Sequence, residues 1–298
     1  MNLIPQAPPD FRSGFVALIG RPNVGKSTLL NRVLGEKIAI TSPVAQTTRH
    51  SIRGILTRPT SQIIFIDTPG IHKPRHQLGE TLVMTARSAM AQVDVVVFVA
   101  DASTECGAGD RLIATTLIPN TMLPVLLLNK IDLAADRQEA SYQALWSVPT
   151  PMFKVSAQTG EGIEHFLKGL EALLPSGPYY YPPDSLTDQT ERVLCAELIR
   201  EQILHQTTEE VPHAVAVVIE AMEEQPRITR IRAVIYVERD SQKGILIGKG
   251  GQRLKEINTH ARLAMEEMLQ TKVYLEVFVK VENRWRQNPR TVKALYPQ

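Results

Sequence analysis

The residues best able to do chemistry stand near the start of the chain, in Gly20-Arg21-Pro22-Asn23-Val24-Gly25-Lys26-Ser27-Thr28. Their spacing is Gly-x-x-x-x-Gly-Lys-Ser, and they follow the apolar run Phe15–Ile19 and open a stretch of helical periodicity. A strand, a glycine loop and a helix in that order wrap phosphates. The glycines let the backbone close on an anion in conformations that a side chain would block. Main-chain N–H groups and a helix N-terminus then face the negative charge. Lys26 is positioned to reach the outer phosphates, and the Ser27 hydroxyl to ligate Mg²⁺.

Three further segments add a base and a switch. Asn129-Lys130-Ile131-Asp132 follows the apolar run Val125–Leu128. Asp132 can accept two hydrogen bonds from guanine N1–H and its 2-amino group, which adenine lacks, for a discrimination of roughly 10²–10⁴. Asn129 would tie this pocket to the phosphate loop, the Lys130 stem would cover the purine face, and Ser156-Ala157 would offer a backbone N–H to guanine O6. Asp67-Thr68-Pro69-Gly70 ends another apolar run. There Asp67 would hold Mg²⁺ through water, and the Gly70 N–H would sense the γ-phosphate. A hydroxyl from Thr47 or Thr48 would join the metal, with Thr48 favoured. Lys26, Thr48 and Gly70 carry the expected catalytic roles. The glutamine that orients water in Ras-like sites follows the switch glycine; here that position is Ile71, which points to slow intrinsic hydrolysis.

A second constellation lies near the end of the chain. Ile247-Gly248-Lys249-Gly250-Gly251-Gln252-Arg253-Leu254-Lys255-Glu256-Ile257 is similar to the signature of KH domains, I-G-x-x-G-x-x-[IL]-K-x-I. Gly248 and Gly251 would let the backbone approach a sugar–phosphate chain, with Lys249, Gly250, Arg253 and Lys255 beside it. Ile245, Ile247, Leu254 and Ile257 would form core and groove floor under unstacked bases. Lys280, Arg284 and Arg286 add basic contacts around Trp285, which either stacks on bases or packs on the body. His72 and His76 make a poor zinc pair with Pro74 between them. Asp94, Asp101 and Asp110 read as caps and loop residues, and Cys106 and Cys195 as inert thiols.

The elements that must position these residues follow from periodicity. Apolar runs 15–19, 63–66, 93–100, 125–128 and 153–155 alternate with amphipathic stretches, which predicts a mostly parallel sheet covered on both faces. Ligands of such sheets bind at the carboxyl ends of the strands, where the motifs lie. Residues 174–185 carry four prolines in twelve positions and read as a linker. Beyond it, a helix with Leu194, Leu198 and Ile199 inward precedes an α+β domain. The expected division is a tail 1–13, an α/β nucleotide domain 14–173, a linker 174–188 and an RNA-binding domain 189–298.

Composition agrees with two globular domains: 43% hydrophobic and 21% charged over 298 residues, with two cysteines. No apolar run reaches the ~18–20 residues of a membrane span, and the N-terminus has no signal-peptide pattern, so a soluble, cytoplasmic protein is expected. The net charge of +2 hides a pattern. Residues 181–226 hold 2 Lys/Arg against 10 Asp/Glu, and residues 227–298 hold 15 against 7. The last quarter is basic enough to suggest a polyanionic partner.

Gly20–Ser27, Ala45-Gln46-Thr47-Thr48-Arg49, Asp67–Ile71 and Asn129–Asp132, with the second domain, resemble the Era branch of translation-associated GTPases. The resemblance implies a P-loop GTPase domain followed by a type II KH domain. It implies GTP as substrate with Mg²⁺, and a K⁺ ion held by Asn23 that supplies charge during hydrolysis. It also implies binding near the 3′ end of small-subunit ribosomal RNA, action on the precursor small subunit, and peripheral association with the inner membrane. A constitutive RNA chaperone with an incidental GTPase is one competing reading; a tRNA-modifying or membrane-transport GTPase of the same branch is another, opposed by the KH signature and by the lack of an apolar membrane-spanning run.

Overall fold

The computed structural model describes residues 4–44, 47–71, 76–116, 118, 124–133, 139–147 and 149–296. Ala45, Gln46, His72 and Pro74, named above, lie outside them. The elements are β1 (Arg12–Ile19), α1 (Lys26–Leu34), β2 (Ile52–Arg58), β3 (Ser61–Asp67), α2 (Gln77–Met90), β4 (Val95–Asp101), α3 (Ala108–Thr116), β5 (Val125–Asn129), α4 (Glu139–Gln143), β6 (Met152–Lys154) and α5 (Ile163–Leu173). They continue as α6 (Glu191–Gln206), α7 (Val211–Ala214), β7 (Ala216–Gln225), β8 (Ile228–Val237), α8 (Asp240–Ile247), α9 (Gln252–Leu269), β9 (Lys272–Val281) and α10 (Pro289–Leu295). Two compact units result. One comprises Met1–Ala39, Thr48–Pro74 and Thr81–Asp188, the other Ile40–Thr47, Arg75–Glu80 and Gln189–Gln298.

The first unit is built on a six-stranded sheet in the order β2-β3-β1-β4-β5-β6. All neighbours are parallel except β2 and β3. Strands β3, β4 and β5 are almost wholly buried because helices cover both faces. Leu29, Leu30 and Val33 of α1 and Phe166 and Leu170 of α5 pack one face. Ala86 and Met90 of α2, Ile113 of α3 and Tyr142 of α4 pack the other. Strand β2 escapes the apolar-run reading: it is an edge strand, Arg53 points outward, and Gly54 interrupts its apolar side. Helix α1 crosses close to that glycine, where a Cβ would sit 2.6 Å from Leu30 Cδ1 and 2.7 Å from Leu34 Cδ1.

Residues 174–188, expected as a linker, are bonded to this unit. The buried Gln62 side chain accepts from the backbone N–H of Tyr180 and Tyr181 at 2.8 and 3.0 Å and donates to Tyr181 O at 2.9 Å. Ile55 donates its N–H to Leu186 O at 2.8 Å, Arg53 pairs with Asp188 at 2.6 Å, and Phe11 and Phe15 pack against Tyr179 and Tyr180. Prolines predict a segment without its own ladder; here side-chain amides and a strand edge satisfy it instead.

The second unit has a three-stranded sheet, β7-β8-β9, antiparallel then parallel. Ile199 and Ile203 of α6 and Ile257, Ala261 and Met265 of α9 share its core. Helix α6 also buries three charged residues that periodicity would turn outward, Glu197, Arg200 and Glu201. Arg200 Nε pairs with Glu197 at 2.9 Å and its Nη2 donates to Thr47 O. Glu201 accepts the Thr41 N–H at 3.1 Å. Both cysteines are buried, and burial pushes the Cys195 thiol up to about 12.

Replacing Gln62 with Ala is expected to cost about 1–3 kcal/mol by stranding buried backbone groups. Hydrogen exchange at the Tyr180 and Tyr181 amides reads it: faster exchange confined to 176–188 is the expected result.

Candidate functional site

The carboxyl ends of β1, β3, β4 and β5 bring the first three motifs to one edge of the sheet. Gly25, at φ 95°, caps α1, so the loop Gly20–Gly25 turns its backbone toward the helix N-terminus. Gly20 has no room for a side chain, since a Cβ would lie 2.3 Å from Val99 O. Gly70 approaches the same loop, where a Cβ would lie 2.7 Å from Pro22 Cα. Asn23 stands exposed at φ 64°. Lys26 is buried and its Nζ donates to Gly20 O at 3.1 Å and Arg21 O at 3.0 Å. Burial lowers its pKa to about 8, against the pull of Asp67.

Ser27, Thr48 and Asp67 form a tight cluster. Ser27 Oγ and Thr48 Oγ1 lie 2.6 and 3.1 Å from Asp67 Oδ2 and 2.8 Å from each other. Asp67 is fully buried, its Oδ1 lacks a partner, and burial raises its pKa although Lys26 and both hydroxyls oppose this. The two candidate threonines separate here: Thr47 spends its hydroxyl on Val44 O at 2.6 Å, while that of Thr48 joins the cluster. Two hydroxyls and a carboxylate with an unspent oxygen suit a hard divalent cation such as Mg²⁺. Thr68 is different, donating to Leu18 O at 2.8 Å as a structural bond. Pro69 is buried beside it, and Thr28 is half-buried in the first turn of α1.

Asn129 joins the loops. Its Nδ2 donates to Val24 O at 2.8 Å, and its Oδ1 accepts the Ala157 N–H at 2.9 Å. Asp132 is exposed on a single 3₁₀ turn, Ile131–Leu133. The donor expected for guanine O6 is already engaged: Ala157 N–H goes to Asn129, and Ser156 N–H to Glu161 O at 3.0 Å. Buried amides must be paired, and both of these are paired within the protein.

Two residues depart from their expected parts, and a third has none. Arg21 turns away from the loop interior and pairs with the fully buried Asp110 at 2.8 Å, and Asp110 also accepts the Gly107 N–H at 2.9 Å. Asp101, expected as a loop residue, pairs with Lys130 at 2.6 Å. Arg32 of α1, which no motif singles out, donates to Ala157 O at 2.9 Å. Asp94 has the expected loop role, accepting the Phe15 N–H at 2.7 Å.

In the second unit, Gly248, Gly250 and Gly251 all take positive φ, at 72°, 60° and 79°. Gly250 and Gly251 meet nothing within 4 Å of a built Cβ, so backbone conformation and not crowding requires glycine there. Lys249 and Lys255 are exposed beside the loop. Arg253 instead caps α8 by donating to Ile245 O at 2.5 Å. Lys280 pairs with Glu220 at 3.0 Å and Arg286 with Glu238 at 2.5 Å; Lys280 stays exposed all the same, and Arg284, also exposed, is the one of the three without an ion pair among the described residues. Ile245 is a correction: it is exposed, and Leu246 takes the core position with Ile257, because the segment is helix and its phase puts 246 and 242 inward. Ile247 and Leu254 are half-buried. Trp285 is fully buried, donating Nε1–H to Ala214 O at 2.8 Å and stacking on Tyr296, so it does not offer a face to bases.

Residues 15–130 match the family described as 50S ribosome-binding GTPase, and residues 210–286 match the KH domain. The chain is 57% identical over 287 residues to GTPase Era of Nostoc sp., covering 95% of this chain and 89% of the relative. It is 55% identical to GTPase Era of Rippkaea orientalis, covering 97% and 93%. Among solved structures it resembles Era in complex with MgGDPNP and nucleotides 1506–1542 of 16S ribosomal RNA, with TM-score 0.92, 37% identity, and 96% and 98% of the two chains covered. A variant of Aquifex aeolicus Era bound to GDP and AlF4⁻ matches with TM-score 0.90 and 37% identity, covering 96% and 99%.

Asn129→Ala would strand the Val24 carbonyl and the Ala157 amide together. Urea unfolding of the nucleotide-free protein is expected to show a loss of about 1–3 kcal/mol, with an unchanged slope.

Proposed function

The chain belongs to the Era family of GTPases, and on that footing we propose that its nucleotide site works as a switch for RNA capture. It hydrolyses GTP to GDP and phosphate, and it binds small-subunit ribosomal RNA near the 3′ end. Its task is the assembly and maturation of the small ribosomal subunit. One observation carries the reading: a single chain holds both the Ser27–Thr48–Asp67 cluster behind a phosphate loop and the glycine loop Gly248–Gly251, exposed at Lys249 and Gly250, at the start of a helix.

In this reading the loop amides of Gly20–Gly25 and the N-terminus of α1 bind the phosphates, and Lys26 leaves its two carbonyls for their oxygens. Ser27, Thr48 and Asp67 would hold Mg²⁺, which when bound neutralises charge on the phosphates. Asp132 reads the guanine edge, the Lys130 stem lies along the base, and Gly70 reports the γ-phosphate through its N–H. Ile71 is buried and its side chain cannot orient water, so intrinsic hydrolysis is slow. Asn23, at the exposed rim of the loop, would hold K⁺ as the missing positive charge. Turnover is expected to be faster in KCl than in NaCl, and Asn23→Ala to erase the difference; equal rates in both salts exclude this part.

The RNA side rests on Lys249, Gly250 and Lys255 around the loop, with Ile247 and Leu254 as apolar floor. Coupling to nucleotide state has a route in the chain itself. Arg200 and Glu201 of α6 hold the backbone of Thr47 and Thr41, and the next residue, Thr48, belongs to the cluster at Asp67. A ligand shifts such an equilibrium only through contacts that differ between states, and Thr48 is such a contact. Peripheral membrane association belongs to the family resemblance alone. Among the described residues no helix is long and apolar enough to cross a membrane.

The test is RNA affinity by fluorescence anisotropy, using a single-stranded fragment of the 3′ end of small-subunit ribosomal RNA. Affinity is expected to differ at least fivefold between the GTP-analogue and GDP forms, about the lower bound of ordinary allosteric coupling. Identical affinities leave the constitutive RNA chaperone as the better description.

A further inference from the structure

Strands β4 and β5 end side by side, with Asp101 opposite Asn129 in the register. Lys130, the next residue, sits at φ 66°, a left-handed conformation that residues with a Cβ adopt only under constraint. Its Nζ lies 2.6 Å from Asp101 Oδ2. The carboxylate that receives it is itself fixed. Its other oxygen accepts the Ser103 N–H at 3.0 Å and the Ser103 hydroxyl at 2.5 Å. The Asp101 carbonyl accepts the Tyr142 hydroxyl at 3.2 Å, and the Ala102 N–H donates to Asn129 O at 2.8 Å. Burial acts to raise the Asp101 pKa, but Lys130 and Ser103 outweigh it and the carboxyl lies below its ordinary value.

The lysine stem is therefore anchored at both ends: at its backbone by a strained residue and at its ammonium by an ordered carboxylate. A free lysine stem would lose much rotamer freedom on packing against a base, and fixing it beforehand removes that cost from binding. We propose that Asp101 is a positioning residue for the base site: by holding the Lys130 ammonium it turns the stem into a preformed apolar wall for the purine face. The proposal rests on the reading of Asn129–Asp132 as the base-binding loop. Asp101 reaches the nucleotide only through Lys130, and it acts on the face of the base and not on the edge that Asp132 reads.

That geometry separates the two roles experimentally. GDP and IDP differ only in the 2-amino group, which is an edge feature. Dissociation constants for both are measured in the full-length protein for wild type, Asp101→Asn, Lys130→Ala, the double variant and Asp132→Asn. Asp101→Asn is expected to weaken GDP and IDP equally, by about three- to tenfold, leaving their ratio unchanged. In the Lys130→Ala background the same substitution is expected to add nothing. An unchanged GDP affinity in Asp101→Asn overturns the proposal, as does a full additional loss in the double variant. A fall in the GDP/IDP ratio also overturns it, because the substitution then disturbs the whole loop. If Asp132→Asn leaves the ratio at its wild-type value, the base-loop reading fails instead. Unfolding midpoints of Asp101→Asn and wild type are compared in parallel, and a midpoint shift that accounts for the affinity loss assigns Asp101 a structural role only.

Discussion

A carboxylate without water is the constraint around which the first unit is arranged. Asp67 is fully buried, and an isolated buried charge costs several kcal/mol unless it is paired and hydrogen-bonded. Two hydroxyls and the nearby Lys26 ammonium offset part of that cost, yet Oδ1 has no partner. The cluster is thus short of positive charge, a deficit that a divalent cation bound there would fill. Three separate segments have to meet there: the end of β3, the first turn of α1 and the stretch entering β2. Thr48 is the one of the three that is not set in a helix or a strand, so it is the contact that can be made or lost without moving the sheet.

Asn129 imposes the complementary condition. One amide side chain ties the phosphate loop to the loop after β6 by two hydrogen bonds of opposite sense. Gly25 must remain glycine because a Cβ would lie 2.3 Å from Asn129 Nδ2. The phosphate and base subsites are consequently built as one rigid edge, with Arg32 bracing the same loop from α1. In the proposed reading, a site held this way would be ready before its ligand arrives, and the ordering cost would fall on the Thr48 and Gly70 segments.

Periodicity and motif spacing carried the parallel strands, the positions of the phosphate and base loops, and the glycine loop of the second unit, because each depends on local residue types. What escaped them depends on tertiary partners. Strand β2 has too short and too mixed an apolar pattern to be seen without the edge it pairs with. The proline-rich stretch acquires order from Gln62, a polar residue in the middle of a buried strand. Ile245 reads as core or groove floor from its place beside the glycine-loop signature, and helical phase gives the core position to Leu246. The ion pairs of Arg21 with Asp110 and Lys130 with Asp101 bridge 89 and 29 positions. No local pattern announces them. The buried Glu197, Arg200 and Glu201 resist for the same reason: their partners lie about 150 to 160 residues away or in the next helical turn.

The basic character of the last quarter also changes meaning once partners are known. Arg232, Arg262, Lys280 and Arg286 each face a glutamate, so these four are engaged inside the unit, although only Glu220 lies outside residues 227–298. Arg227, Arg230, Lys249, Lys255, Arg284, Arg290 and Lys293 remain exposed and carry no ion pair among the described residues, and of these Lys249 and Lys255 stand beside the glycine loop. Two phosphate contacts to a single strand at the loop itself give a salt dependence of only about −1.4 in log–log slope, which is weak for a loop that works by charge alone. In the proposed reading, affinity would come as well from close backbone approach at Gly250 and Gly251 and from bases lying on Ile247 and Leu254. A module of that kind recognises a short unpaired segment by its bases, and it gains little from duplex RNA, whose bases are stacked and out of reach.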